Sequence, residues 1–234
     1  MKLLRPLLIA TIAATVLIAS QASNAAGNET YADYSRITER SAGQFWSGES
    51  LAGQWSWRTD SPDHYSISWS SDHPETRERF LRSADKSWLL LDGWSGNGTD
   101  YKQRVTSESQ GNASCSSMHP LRSENGQQHY VQWNIPTTAY CLEAKGTITE
   151  ASSGKVVNFR HRQLWSSPHP CSNAYMQGKT CIAQHEAWWD DNGHPMKMTL
   201  DRVNYLAKGV GMAFKVQQTY PNTWSADLRQ AWTY

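Results

Sequence analysis

The segment CIAQHEAWWDDNGHPMKMTLDRV, residues 181–203, decides the fold class. Apolar and polar side chains alternate on both sides of Asn192-Gly193, and Asn-Gly is a preferred pair for a two-residue hairpin loop. The segment therefore predicts two antiparallel strands, with Trp189 opposite Met196 and His185 opposite Leu200. The inward face would carry Ala183, His185, Ala187, Trp189, Met196, Met198 and Leu200, and the outward face Gln184, Glu186, Trp188, Lys197, Thr199 and Asp201.

The same alternation recurs along most of the chain, in runs such as QWSWR (54–58), YSISW (65–69) and QHYVQWNI (128–135). Such runs, separated by turn residues, predict an all-β fold. We expect an antiparallel barrel or a two-sheet sandwich of roughly 9–11 strands with one or two short helices. The helices are expected within residues 30–46 and 73–84. The sequence alone does not distinguish the barrel from the sandwich.

The N-terminal residues have the three parts of a secretory signal peptide. Lys2 and Arg5 precede an apolar stretch, residues 7–18, and small residues follow it. That stretch is shorter than the ~20 residues of a stable membrane span. We therefore expect a signal peptide at residues 1–25 and a single β-rich domain at 26–234, exported to the periplasm or secreted, with no later membrane span.

The four cysteines of an exported chain predict two disulfide bonds. Of the three possible connectivities we favour Cys115–Cys141 and Cys171–Cys181, because the shorter loops lose the least entropy on closing. No C-x2-C or H-E-x-x-H spacing is present, so no metal site and no cofactor is predicted. The formal charge of +1 is spread without blocks, which argues against nucleic-acid binding.

Several histidines and glutamines fall on predicted inward faces of a chain that also contains 12 tryptophans. In FRHRQLW (159–165), alternation turns His161 and Gln163 inward and Arg160 and Arg162 outward. Such polar groups need buried partners or a cavity. The predicted ligand-binding residues are His161, Gln163, Trp165, His185, Trp189, Phe214, Gln218, Tyr220, Gln230 and Trp232.

Three functions are compatible with these patterns. The first is binding of a small, partly apolar ligand in an interior cavity lined by Trp, His and Gln. The second is a secreted glycan-active enzyme, similar to a β-sandwich polysaccharide lyase, with His161 or His185 as the base. The third is an interaction or inhibitor module with a solid core and an exposed aromatic patch around Trp188. The predicted inward faces contain no paired carboxylates, and no catalytic residue is assigned.

Overall fold

Antiparallel strands make up most of the computed structural model, which describes residues 29–70, 76–96, 98–172, 176–192, 195–211 and 215–233. The predicted signal peptide lies outside these residues. One short helix, α1 (Tyr31–Ser35), precedes the strands in the described part of the chain. The strands are β1 (Ser41–Ser47), β2 (Ser50–Ser61), β3 (His64–Ser70), β4 (Thr76–Arg82), β5 (Trp88–Gly96), β6 (Thr99–Asn112), β7 (His119–Leu121), β8 (Gln128–Gln132), β9 (Tyr140–Glu150), β10 (Val156–Trp165), β11 (His169–Pro170), β12 (Thr180–Asp190), β13 (Lys197–Ala207), β14 (Lys215–Tyr220) and β15 (Trp224–Thr233).

The strands close into an antiparallel barrel of 12 strands. Its ring runs β6-β9-β10-β12-β13-β14-β15-β1-β2-β3-β4-β5, and β5 pairs with β6 again through residues 93–96 and 99–102. The short strands β7, β8 and β11 lie outside this ring. The predicted all-β antiparallel fold is therefore confirmed, and the barrel is the correct alternative.

Strand β8 occupies the place where β5 and β6 separate. The first half of β5 pairs with β8 and the second half with β6. Consecutive residues 128–131 of β8 are all buried, so protein covers both faces of this strand. Its polar side chains therefore reach the interior of the barrel and must find partners there.

Helix α1 covers one end of the barrel. Tyr31, Tyr34 and Ile37 are fully buried, and the Tyr31 amide donates a 2.7 Å hydrogen bond to the Trp133 carbonyl. The second predicted helix, residues 73–84, is wrong, because its described part is β4, which pairs with β3 and β5 on both edges. Pairing and burial of Phe80 outweigh helix propensity there.

The hairpin β12–β13 differs from its predicted register. Trp189 pairs with Met198 and Trp188 with Leu200, and a bulge separates the two tryptophans. The connection spans residues 191–196 instead of two residues. One inserted residue exchanges the faces of a strand. As a result Gln184 and Glu186 are buried and His185 is exposed, the reverse of the prediction.

Strand β10 has the predicted faces. Phe159, His161, Gln163 and Trp165 are at most 1% exposed. On the other side of the strand, Arg160 and Arg162 both donate hydrogen bonds to the Glu143 carboxylate. This strand pairs with β9 and β12 without a bulge, so period-two alternation holds along its whole length.

Two disulfide bonds fasten loops to the barrel wall. Cys115–Cys141 joins the loop after β6 to β9, and Cys171–Cys181 joins the segment after β11 to β12. Both predicted pairings are confirmed. Paired cysteines are typical of an oxidising, extracellular or periplasmic compartment. Among the described residues, helices long and apolar enough to cross a membrane are absent.

Candidate functional site

A pocket of about 230 Å³ lies among inward-facing side chains of the barrel. It borders the start of β4, the end of β12 and the start of β13, close to the β12–β13 connection. Helix α1 contacts the residues that follow the other end of β13. The pocket is therefore at the barrel end opposite α1. It is lined by Thr76, Glu78, Leu91, Trp94, Tyr130, His161, Glu186, Trp188, Leu200 and Arg202.

A buried ion pair forms one wall of the pocket. Two guanidinium nitrogens of Arg202 donate to Oε1 of Glu186, and Asn204 Nδ2 donates to the same oxygen at 3.2 Å. Burial opposes ionisation of Glu186, which is 3% exposed, but Arg202 and His161 outweigh burial and lower its pKa to about 2. Glu186 is therefore a carboxylate at neutral pH.

His161 stands beside this pair at the end of a chain of amides. Gln103 Nε2 donates to Gln128 Oε1 at 2.8 Å, and Gln128 Nε2 lies 2.7 Å from Nδ1 of His161. Nδ1 of His161 therefore accepts a hydrogen bond from the Gln128 amide, so the proton of the neutral ring is on Nε2. This Nε2 atom lies 3.5 Å from Glu186 Oε2. Burial lowers the pKa of His161, although Glu186 acts to raise it. The His161 ring is therefore neutral at pH 7.

The Nε2–H group of His161 makes a long contact, 3.5 Å, with Glu186 Oε2, and it forms no shorter hydrogen bond within the described part of the chain. The residue is 0% exposed and lines the pocket, so this atom is a buried polar group facing the pocket. Buried donors without partners are rare, because losing the hydrogen bond to water costs about 1–3 kcal/mol. The pocket is where such a partner could bind.

Glu78 supplies a second inward carboxyl from β4. Burial raises its pKa to about 7; Glu186 acts in the same direction, whereas Arg202 and Trp69 act in the opposite one. Among the described residues Glu78 forms no salt bridge. Two inward acids were not predicted, and the expectation that the inner faces lack paired carboxylates is wrong.

Aromatic rings form the remaining walls. The His161 ring stacks on Trp188 with centroids 3.9 Å apart and planes 14° apart. Trp188 meets Trp94 edge to face at 5.8 Å and 69°. Trp94 also borders a neighbouring pocket of about 260 Å³ with Tyr101 and Ile148. The predicted exposed aromatic patch around Trp188 is therefore wrong, because this side chain packs inside the barrel.

Two further inward amides, Gln163 and Gln184, bond to each other next to the pocket, whereas the Oδ1 atom of the adjoining Asn204 has no hydrogen-bond partner in the described part of the chain. Gln184 Nε2 donates to Gln163 Oε1 at 2.8 Å, and Tyr130 Oη donates to Gln184 Oε1 at 3.2 Å. The Trp165 indole donates to the Tyr130 carbonyl at 3.0 Å. Gln163 and Trp165 are thus parts of a buried network and do not line the pocket.

Of the predicted ligand-binding residues that the structure describes, His161 alone lines this pocket. His185 is on the outer surface, 2.6 Å from Asp201, and Trp189 lies outside beneath Arg160. The remaining positions are accessible at the barrel surface or undescribed. Gln218 is half-buried, Tyr220 and Gln230 are exposed, Phe214 lies outside the described residues, and nothing is described of the Trp232 side chain.

The pocket residues missed in the sequence had a partial signal. Glu186 and Arg202 are charged residues in otherwise well-patterned strands, but the predicted register contained no bulge and therefore turned Glu186 outward. Glu78 was hidden in the wrongly predicted helix. In the part of the chain that the structure describes, no three His, Cys, Asp or Glu side chains converge as a metal site would require.

Comparisons with known proteins give one remote similarity. No protein-family model matches the sequence, and no curated protein matches it. A crystal structure of a candidate exported protein with a YmcC-like fold from Bacteroides fragilis is similar at a TM-score of 0.30 and 9% sequence identity. The alignment covers 86% of this chain and 99% of that one.

Proposed function

We propose that this protein is an exported, disulfide-bonded β-barrel that binds a small, partly apolar ligand in the pocket beside His161. The observation that carries the proposal is the contrast within the interior. The amides around Gln163 satisfy one another, whereas His161 Nε2 and Glu78 face a pocket with Trp94 and Trp188 as walls. Ligand sites combine apolar walls with a few placed polar groups in this way. The proposal includes the signal peptide at residues 1–25 and the single domain at 26–234.

The size of the pocket limits the ligand. Its volume of about 230 Å³ is below the ~300–1,000 Å³ of sites for drug-sized molecules. A molecule with a few carbon atoms and one or two polar groups therefore suits it, or one end of a longer molecule. Trp94 also borders the second pocket, so a longer ligand would extend past this ring.

The test is a fluorescence screen of small metabolites against the purified protein, with native mass spectrometry to detect ligands that co-purify. The variants Trp188→Phe and Trp189→Phe form a matched pair, because these neighbours lie on opposite sides of the barrel wall. Binding should change the emission of the wild type and of Trp189→Phe, and the change should be smaller in Trp188→Phe and smallest when Trp94 is replaced by phenylalanine as well, because both indoles line the pocket. A ligand response that survives unchanged in the double variant of Trp94 and Trp188 would place binding elsewhere and contradict the proposal.

A glycan-active enzyme is the alternative, favoured by the two inward acids with different pKa values. Glycosidases use one protonated and one ionised carboxyl group, and the pKa of Glu78 is about 7 whereas that of Glu186 is about 2. In this hypothesis Glu78 is the proton donor. Release of reducing ends from a panel of polysaccharides, lost in Glu78→Gln, would support it. The lyase hypothesis with His185 as base is not retained, because His185 is on the outer surface.

A further inference from the structure

We infer that the ligand is a small organic cation, held with its charge beside Glu78 and its apolar part against Trp94 and Trp188. This inference rests on the proposed function, because it names the chemical class that the pocket accepts. It depends on three features: the balance of charge around the pocket, the arrangement of the two indoles, and the Nε2–H donor of His161, which makes only a long contact with Glu186.

The charges around the pocket do not balance when Glu78 is ionised. Arg202 is committed to Glu186 by two hydrogen bonds, and His161 is neutral. Glu78 therefore has no positive partner of its own among the pocket residues. Glu78 is half-buried, and a carboxylate withdrawn from water without a partner of its own is destabilising. A ligand with a single positive charge would supply the partner, whereas an anion would face two carboxyl groups.

The two indoles form a corner suited to a cation. Their centroids are 5.8 Å apart and their planes meet at 69°, so the edge of one ring faces the other. His161 stacks on one face of Trp188, and Phe159 lies 5.3 Å from the same indole. Tyr101 stacks on Trp94 at 5.8 Å, which leaves the other face of Trp94 as the principal aromatic surface toward the pocket. Tryptophan faces attract ammonium groups, and the attraction is stronger where water is excluded. Leu91 and Leu200 complete the apolar surface that alkyl groups of the ligand would contact.

A metal ion fits this pocket poorly. Hard cations need six or more oxygen ligands, and here two nitrogens of Arg202 occupy one oxygen of Glu186. The Nε2–H of His161 is a donor and cannot ligate a metal in this tautomer, and beyond its 3.5 Å contact with Glu186 it can donate to an oxygen of the ligand. An ammonium group with a nearby hydroxyl would use both Glu78 and His161.

The experiment compares two probes of the same shape by calorimetry and tryptophan fluorescence. Choline carries a trimethylammonium group and a hydroxyl, and its carbon isostere carries a neutral tert-butyl group in the same place. Titrations are run at about pH 8, where Glu78 is mostly ionised. We expect choline to bind at least ten-fold more tightly than the isostere. Glu78→Gln should remove that preference, and Glu49→Gln, which neutralises an exposed acid in the β1–β2 turn, should retain it.

The outcomes separate this inference from the proposed function. If the neutral isostere binds as tightly as choline, the inference of a cationic ligand is wrong, whereas the proposed function as a ligand-binding barrel is retained. If choline binding is unchanged in Glu78→Gln, the inference is also wrong, because the charge then lies elsewhere. If neither probe nor any member of the metabolite screen binds the wild type, both proposals fail. The comparison of the two probes needs no variant, so it remains decisive if Glu78→Gln does not fold.

Discussion

The raised pKa of Glu78 predicts that this residue makes the protein less stable as pH rises. In the unfolded chain its carboxyl ionises near 4.5, whereas in the folded barrel its pKa is about 7, chiefly because of burial. Between these values the folded state binds the proton more strongly, so unfolding releases it. The free energy of unfolding therefore falls with rising pH across this window. Below about pH 4.5 the contribution of Glu78 is fully favourable, and it is lost as pH passes 7.

The magnitude follows from the two pKa values. Each pH unit between them corresponds to about 1.36 kcal/mol, so the change from 4.5 to about 7 amounts to roughly 3 kcal/mol. Glu78→Gln keeps the shape of the protonated carboxyl and does not ionise. The variant should match the wild type near pH 4, exceed its stability by under about 1 kcal/mol at pH 5, and exceed it by about 3 kcal/mol at pH 8.

The assay is urea unfolding of both proteins at pH 5, 6, 7 and 8 with the disulfide bonds intact. The difference in the free energy of unfolding between wild type and Glu78→Gln reports Glu78 alone, provided that the other titratable groups have the same pKa values in both proteins. The contributions of those groups then cancel. Glu49→Gln is the matched control, and its difference from the wild type should stay flat. A constant difference between wild type and Glu78→Gln across this range would refute the reasoning, as would a wild type that gains relative stability with pH.

Three further changes test the packing of the barrel by urea unfolding. Arg202→Met leaves the Glu186 charge buried without its partner and should lower the free energy of unfolding by about 3 kcal/mol. Adding Glu186→Gln to this variant should restore part of the lost stability. A double variant no more stable than Arg202→Met would contradict the interpretation of these residues as a coupled pair. Gly146→Ala should cost about 2 kcal/mol or more, because a Cβ there would lie 2.0 Å from the Arg104 carbonyl oxygen, whereas Gly96→Ala, whose closest contact is 3.5 Å, should cost under about 1 kcal/mol. Replacing both cysteines of one bridge by alanine should cost about 3.5 kcal/mol for the loop of 26 residues and about 2.7 kcal/mol for that of 10, and the reverse order would contradict the loop-entropy argument.

The faces of β10 could be predicted because its alternation is uninterrupted. Phe159 to Trp165 pair residue by residue with both neighbouring strands, and every inward assignment is confirmed by burial. The disulfide pairing was also predictable, because two short loops were available. These predictions depend on strand alternation and on short loop length, which are properties of neighbouring residues. Strand alternation holds where no bulge inserts a residue.

The pocket could not be predicted because its position depends on two non-local facts. The bulge between Trp188 and Trp189 changes which β12 residues pair with the inward Leu200, and the pairing of β4 on both edges decides the structure around Glu78. Sequence alternation gives two mutually exclusive faces but does not say where a bulge exchanges them. The inward position of Glu78 could not be predicted because it depends on the pairing of β4 with strands on both edges. This pairing overrides the helix propensity of residues 76–82.

The polar interior divides into a part that the fold explains and a part that it does not. Gln163, Gln184 and Tyr130 pair with one another, so they cost little and give the core a defined arrangement. Glu78 forms no salt bridge among the described residues, and the Nε2 atom of His161 makes only a 3.5 Å contact with Glu186, although apolar side chains of similar volume would fill the same space at lower free energy. Proteins retain destabilising polar groups chiefly where function uses them. Under the proposed function, stability and ligand binding therefore make opposing demands on the same side chains of the pocket beside His161.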